Sequence, residues 1–256
     1  MNNIRIKPVW SKSKDEIWNE KFEHLDEHRP REKGLLRRIS VWGYAASLFI
    51  PILLICQFYT ITTETARGEH AVVMLPDRST ITMNVESVVS YKPLTWFVSR
   101  KVKLQGEACF EVKHGSSFDV HSAGKQVKVL GTTFNVFARA EKYCVTCLTG
   151  QVAVQVGKES VVLHSNMQAV FDEWQLRVYN NTTPSAVTGW IQGMFVFVET
   201  PLHEVIAEVE RQYNITVTPD NYPKHFYTGK FSKTDNNPEE VLEIIGKAFD
   251  ISFAIK

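Results

Sequence analysis

Net charge, cysteine and the common catalytic motifs are all scarce here, and each shortage excludes something. The 29 Lys and Arg against 28 Asp and Glu leave a formal charge of +1, which gives no electrostatic reason to expect direct contact with nucleic acid. There are only four cysteines: Cys56 lies in an apolar run, Cys109 stands alone, and Cys144 and Cys147 share metal or redox spacing in YCVTCL. That pair has no second ligand pair and no helix start after it, and in a strand positions i and i+3 point to opposite faces. Ordinary strand cysteines are expected, with no metal and no cofactor. GxGxxG, Walker A, HExxH and GxSxG are missing. Ser122-Ala-Gly-Lys125 matches Ser-x-x-Lys in form, but it falls in a turn between expected strands, and Lys233-Thr234 is followed by Asp235 rather than the companion glycine. The eight histidines are scattered. These shortages argue against an enzyme.

Long apolar runs are missing as well, with one exception. Ile39 to Thr63 carries no charge, and its centre, Val41 to Tyr59, would be about 28 Å long as a helix, the thickness of a bilayer's hydrocarbon core. Trp42 and Tyr44 mark one boundary, Phe58 and Tyr59 the other, and Arg37 and Arg38 sit just outside. A buried core helix would need a protein shell on every face, and a cleaved signal peptide would need a small-x-small site where the exit reads TITTETARGE. A transmembrane helix over 39–63 is the expectation. Residues 1–38 hold ten Lys and Arg, whereas Arg67 and Arg78 alone lie in the first twenty residues after Tyr59, so the N-terminus is placed in the cytoplasm. The larger part, from Glu64, then faces the periplasm, which makes this a single-pass inner-membrane protein.

In the tail, Ser13 and Glu16 form a capping box, after which Trp18, Phe22 and Leu25 share one helical face with Ile17 beside them. So short a helix is marginal alone, and residues 1–38 cannot bury that stripe, so it needs either a protein partner or the membrane surface. From 64 to 179 the pattern is short alternating runs broken by turn residues, an all-β signature that leaves sandwich, barrel and solenoid open. Residues 180–187 read as a linker around Pro184. From 188 to 256 the plan is strand, helix, strand, twice over: MFVFV, a helix capped by Thr200 with Pro201 first, ITVT, then FYTGKFS, a helix capped by Asn237, and ISFAI. That is a compact α+β domain of two βαβ units.

Three phrases in order resemble the periplasmic domain of FecR-like transmembrane sigma regulators: GEHAVVMLPDRSTITMN from Gly68, VKLQGEACFEV with Gly106 and Glu107, and VKVLGTTFNV with Gly131, Thr132 and Asn135. Arg78 stands where that family usually has Gly after Pro-Asp. The C-terminal region resembles the following domain in FecR-like proteins of Bacteroidetes type, through Trp190, Gly193, Phe197, Pro201, Leu202, Arg211 and Tyr213. Its βαβ repeat is similar in fold to the signalling domain of TonB-dependent outer-membrane transducers. The resemblance implies a relay by an anti-sigma factor. The transducer's periplasmic signalling domain engages the domain carrying that second motif, and the tail, through Ile17, Trp18, Phe22 and Leu25, holds an extracytoplasmic-function (ECF) sigma factor. It also implies a candidate cleavage at Gly131-Thr132 by an N-to-O acyl shift, against which stands a plain structural reading with Gly at a tight bend and Thr in a strand. The competing functional classes are an envelope assembly or secretion component anchored by the same helix, and a periplasmic hydrolase or peptidoglycan-binding enzyme, for which no hydroxyl or metal centre is evident.

Overall fold

The computed structural model describes residues 11–26, 47, 51, 57–139, 142–172, 175–180, 184–219 and 224–256. It divides into two units, residues 1–54 and 55–256. The first contains α1 (Lys14–Asp26), and the expected capping box is formed: the Ser13 N–H donates to Glu16 Oε2 at 2.9 Å, and the Glu16 N–H to Ser13 Oγ at 3.2 Å. The expected span lies almost wholly outside the described residues, among which no helix is long and apolar enough to cross a membrane. Its last three positions are already strand.

The second unit opens with thirteen strands: β1 (Ile61–Thr65), β2 (Ala71–Met74), β3 (Thr80–Met83), β4 (Ser87–Tyr91), β5 (Arg100–Glu111), β6 (Phe118–Ser122), β7 (Lys125–Val129), β8 (Thr133–Arg139), β9 (Lys142–Thr149), β10 (Gln151–Val156), β11 (Glu159–His164), β12 (Gln168–Asp172) and β13 (Gln175–Tyr179). They form a sandwich whose two sheets share β5. One runs β1-β4-β5-β6-β7-β10-β11 and the other β2-β3-β5-β8-β9-β12-β13, with every pairing antiparallel except β5 with β6. The sharing depends on Gly106. Residues before it pair with β4 and β6, residues from it onward with β3 and β8. Its φ is +93°, and a Cβ there would lie 2.7 Å from the Glu86 carbonyl oxygen, so only glycine lets the strand change sheets. Between the sheets the Phe110 and Phe134 rings stack at 5.0 Å and Phe118 meets Phe110 edge-on, a fully buried core. Each such ring contributes about 1.5–3 kcal/mol by burial. Arg78 takes φ +65° despite its side chain, because Asp77 Oδ1 accepts the Ser79 N–H at 3.0 Å and the Leu75 carbonyl accepts the Arg78 N–H at 2.9 Å. The left-handed turn survives without the glycine.

The stretch expected as a linker contains a short helix, α2 (Pro184–Thr188), followed by a 3-10 turn at Gly189–Gln192. Then come β14 (Met194–Pro201), α3 (Leu202–Tyr213), β15 (Val217–Thr218), β16 (Phe226–Ser232), α4 (Pro238–Lys247) and β17 (Ala254–Ile255). The βαβ order is as expected, but the pairing crosses between units: β14 pairs antiparallel with β16, and β15 with β17. The α4 cap is the expected box on Asn237 and Glu240. For α3 the cap position belongs to Pro201, with no side-chain bond, and Thr200 Oγ1 donates to the Val198 carbonyl instead. Val205, Ile206 and Val209 from α3, and Val241, Leu242 and Ile245 from α4, bury the expected faces.

Candidate functional site

The two domains of the second unit meet at a buried polar knot. β5 alternates strictly until Gly106, and the change of sheet then turns Glu107 inward beneath the end of β3. The Glu107 Oε2 accepts from Asn84 Nδ2 at 2.7 Å, and its Oε1 from Asn135 Nδ2 at 2.9 Å. Asn84 Oδ1 accepts from Gln212 Nε2 of α3 at 2.8 Å, from the Val85 N–H at 2.8 Å, and lies 3.0 Å from the His70 ring. The same Gln212 amide donates to Glu208 Oε1 at 2.8 Å. Three backbone contacts tie the domains beside the knot: the Gly68 N–H donates to the Arg211 carbonyl at 2.9 Å, Lys233 Nζ to the Gly68 carbonyl at 3.3 Å, and Arg67 Nη1 to the Ile215 carbonyl at 3.4 Å. Trp190 closes the flank, edge-on to His70 at 5.5 Å, in a hydrophobic cluster that takes in Cys109 of β5.

Burial makes this knot electrically strained. Desolvation, then repulsion by Glu208, pushes the Glu107 carboxyl up to about 7, against the bonds from Asn135 and Asn84. His70 is lowered, first by burial and then by the charge of Lys233. Asn135 Oδ1 and Gln212 Oε1 are buried with no hydrogen-bond partner among the described residues. A cleft of about 970 Å³ opens above Glu107 between the sandwich and the C-terminal domain, with Phe137 and Cys144 on one wall and Val196 and Ala207 on the other. Lys142 Nζ reaches Glu204 Oε2 across it at 2.7 Å.

Against this geometry the sequence-derived residues separate. Trp190 and Arg211 come to the junction, Arg211 also pairing with Glu208 at 2.8 Å. Leu202 is buried, and Phe197 stacks on Phe231 at 5.7 Å. Gly193 ends the 3-10 turn at φ +72°, and Tyr213 donates to the Asn236 carbonyl at 2.8 Å, with burial raising its hydroxyl to about 12. Leu202, Phe197 and Tyr213 thus make packing and hydrogen-bond contacts within their own domain. Its exposed apolar surface is elsewhere, notably Val198 at 67 % and Phe226 at 66 %. In the tail Ile17 is half-buried and Trp18 is 62 % exposed, while the side chains of Phe22 and Leu25 lie outside the described residues.

Gly131 is required by the approach of His114, whose Cα would be 2.7 Å from a Cβ there, and the Thr132 hydroxyl donates to the Gln151 carbonyl at 2.9 Å. The Ser122 hydroxyl likewise donates to the Leu104 carbonyl at 2.8 Å, and Lys125 lies over the Phe171 ring at 4.5 Å. Burial raises Cys144 to about 12 and Cys147 to about 11, which disfavours the thiolate form that a metal or redox site would need. Sequence reasoning overlooked Gln212 and His70. Gln212 continues the spacing of Leu202, Val205 and Val209 on α3, and a polar residue on an apolar stripe signals a buried polar partner.

A β sandwich joined through a buried carboxyl to a small α+β domain is a two-domain class with a definite family match. Residues 61–153 match the FecR protein family model, and residues 194–256 match that of the FecR C-terminal domain. Two crystal structures of a protein described as a putative anti-sigma factor from Parabacteroides distasonis are similar, each with TM-score 0.69 and 30% identity, covering 76% and 75% of this chain and 93% of that one. No curated protein matches. The chain belongs to the FecR family.

Proposed function

We propose that this chain is an inner-membrane anti-sigma factor that relays a signal from a TonB-dependent outer-membrane transducer to a cytoplasmic ECF sigma factor. The observation that carries the reading is the disposition of the two ends of β1. The chain enters the sandwich at Ile61, opposite Tyr91. The C-terminal domain docks past the other end of the pair, where Thr65 faces Ser87 and Arg67 and Gly68 bind α3 and the turn after it. Chain entry at one end of this pair and docking at the other support a reading in which the C-terminal domain meets a partner on the side away from the tether. The family match and the name of the structural relative support the sigma-factor end of the relay.

The test is capture by the full chain from cell lysate. Wild type is expected to retain a sigma factor, and Trp18→Ala with Phe22→Ala to lose it while the protein stays in the membrane fraction. If wild type retains none, the chain is better read as an envelope assembly component.

A further inference from the structure

Between β4 and β5 the chain forms a finger, Lys92 to Ser99, that is built more rigidly than a connecting loop requires. Its one inward ring, Trp96, is fully buried and meets Tyr91 at 5.5 Å and Phe118 at 5.7 Å, both edge-on. The Trp96 N–H bonds to the Pro93 carbonyl at 3.3 Å, and the Val98 and Ser99 N–H groups share the Thr95 carbonyl at 3.1 and 3.0 Å, so the finger is a fixed helical turn. Three apolar side chains at i, i+3 and i+4 face outward: Leu94 is 52 % exposed, Phe97 81 % and Val98 93 %. Scattered exposed apolar residues need no explanation, but a contiguous tip mounted on a buried tryptophan does.

The position of the tip indicates what covers it. Tyr91, from which the finger springs, is in register with Ile61, where the chain enters the sandwich. Phe58 and Tyr59, 74 % and 51 % exposed, precede Ile61 by three and two residues, a reach of roughly 7–11 Å at most. Arg100 draws a basic rim to the same end: it pairs with Asp77 at 2.9 Å and donates to the Lys113 carbonyl at 3.1 Å. That brings exposed Arg78 and Lys113 to the start of β5, the end of the sandwich that also carries exposed Lys101 and half-buried Lys92, with the Asp77 carboxylate engaged by Arg100 and Asp119 in register with Lys101.

We propose that this end of the sandwich is a membrane-seating surface, in which Leu94, Phe97 and Val98 enter the boundary between headgroups and acyl chains and the Arg78, Lys92, Lys101 and Lys113 rim lies on anionic phospholipid headgroups. The proposal rests on the single-span reading, because the span brings this bilayer to the finger. Aromatic and aliphatic side chains bounded by lysine and arginine are the composition that an interfacial region favours. Seating at three apolar points, with the tether beside them, fixes the tilt of the sandwich and so aims the C-terminal domain.

The test uses the full chain in phosphatidylethanolamine and phosphatidylglycerol vesicles carrying a phospholipid with a diazirine on its acyl chain, with photolabelled peptides mapped by mass spectrometry. Label is expected on residues 93–99 as well as on the span. Phe97→Ser with Val98→Ser is expected to lower the finger's label about fivefold or more, with label on the span and the melting temperature unchanged. Label on the span and none on the finger overturns the seating surface and leaves the topology standing, and so does finger label indifferent to the double variant, while label on neither overturns the span itself.

Discussion

Among the described residues Glu107 has two amides and no cation at bonding distance, and burial pushes its carboxyl up to about 7 in the folded chain against an ordinary 4.5. Folding therefore favours its protonated form. The stability this gives is complete below about pH 4.5 and is lost as pH rises through 7, a span that converts to roughly 3 kcal/mol. The neutral carboxyl also has an acceptor to hand, since turning the Asn135 amide would offer its unpaired Oδ1. Glu107→Gln mimics that neutral form, so it should unfold at higher denaturant than wild type at pH 8 and converge with it at pH 5. Comparing variant with wild type at each pH cancels His70, which burial lowers and which acts in the opposite direction. A second residue-scale test is a contrast between glycines. A Cβ on Gly106 would meet Ser87 Oγ at 2.5 Å, whereas one on Gly124, at φ +72°, meets nothing within 4 Å. Gly106→Ala should cost about 3 kcal/mol or more and Gly124→Ala about 1 kcal/mol, measured by urea unfolding.

At the scale of elements, Gln212 gives α3 its buried side-chain bond to the sandwich, beside the Gly68–Arg211 backbone bond and the Lys142–Glu204 pair. Gln212→Ala removes its bond to Asn84, leaving Asn84 Oδ1 with Val85 and His70. The expected cost is about 1–3 kcal/mol. Cleavage near residues 180–189 by limited proteolysis should quicken, and an unchanged rate would show that the backbone contacts at Gly68 suffice. What could be read beforehand follows the range of the forces involved. Local signals set the α4 cap on Asn237, the apolar faces of both C-terminal helices and the alternation of β5. Pairing is non-local: that β14 would join β16 rather than β15, or that β5 would serve two sheets, depends on contacts between distant segments. The knot was half legible, since Glu107, Asn84 and Asn135 fall in the family phrases without any sign that they converge. The Trp190-to-Tyr213 motif was legible as the mark of the C-terminal domain, but not that Trp190 and Leu202 in it are buried, since that packing depends on segments distant in the chain.

For the whole molecule, the proposed relay needs a receiving surface at the end far from the chain's entry, and the two-stranded β14-β16 sheet offers one. Among the described residues each of its strands pairs only with the other, so the second edge of each makes no strand pairing. Phe226 lies opposite Pro201 in that sheet, with Val198 at the register shift between Phe197 and Thr200, and both side chains point into solvent. Val198→Glu with Phe226→Glu leaves the α3 and α4 faces and the knot untouched. In full-length protein the double variant should therefore fold, reach the membrane and capture the sigma factor as wild type does, yet fail to bind a transducer signalling domain and leave a sigma-dependent reporter silent under stimulus. A reporter that still responds would place the receiving surface elsewhere on the C-terminal domain, and loss of sigma capture as well would show that the two ends of the chain are not separable.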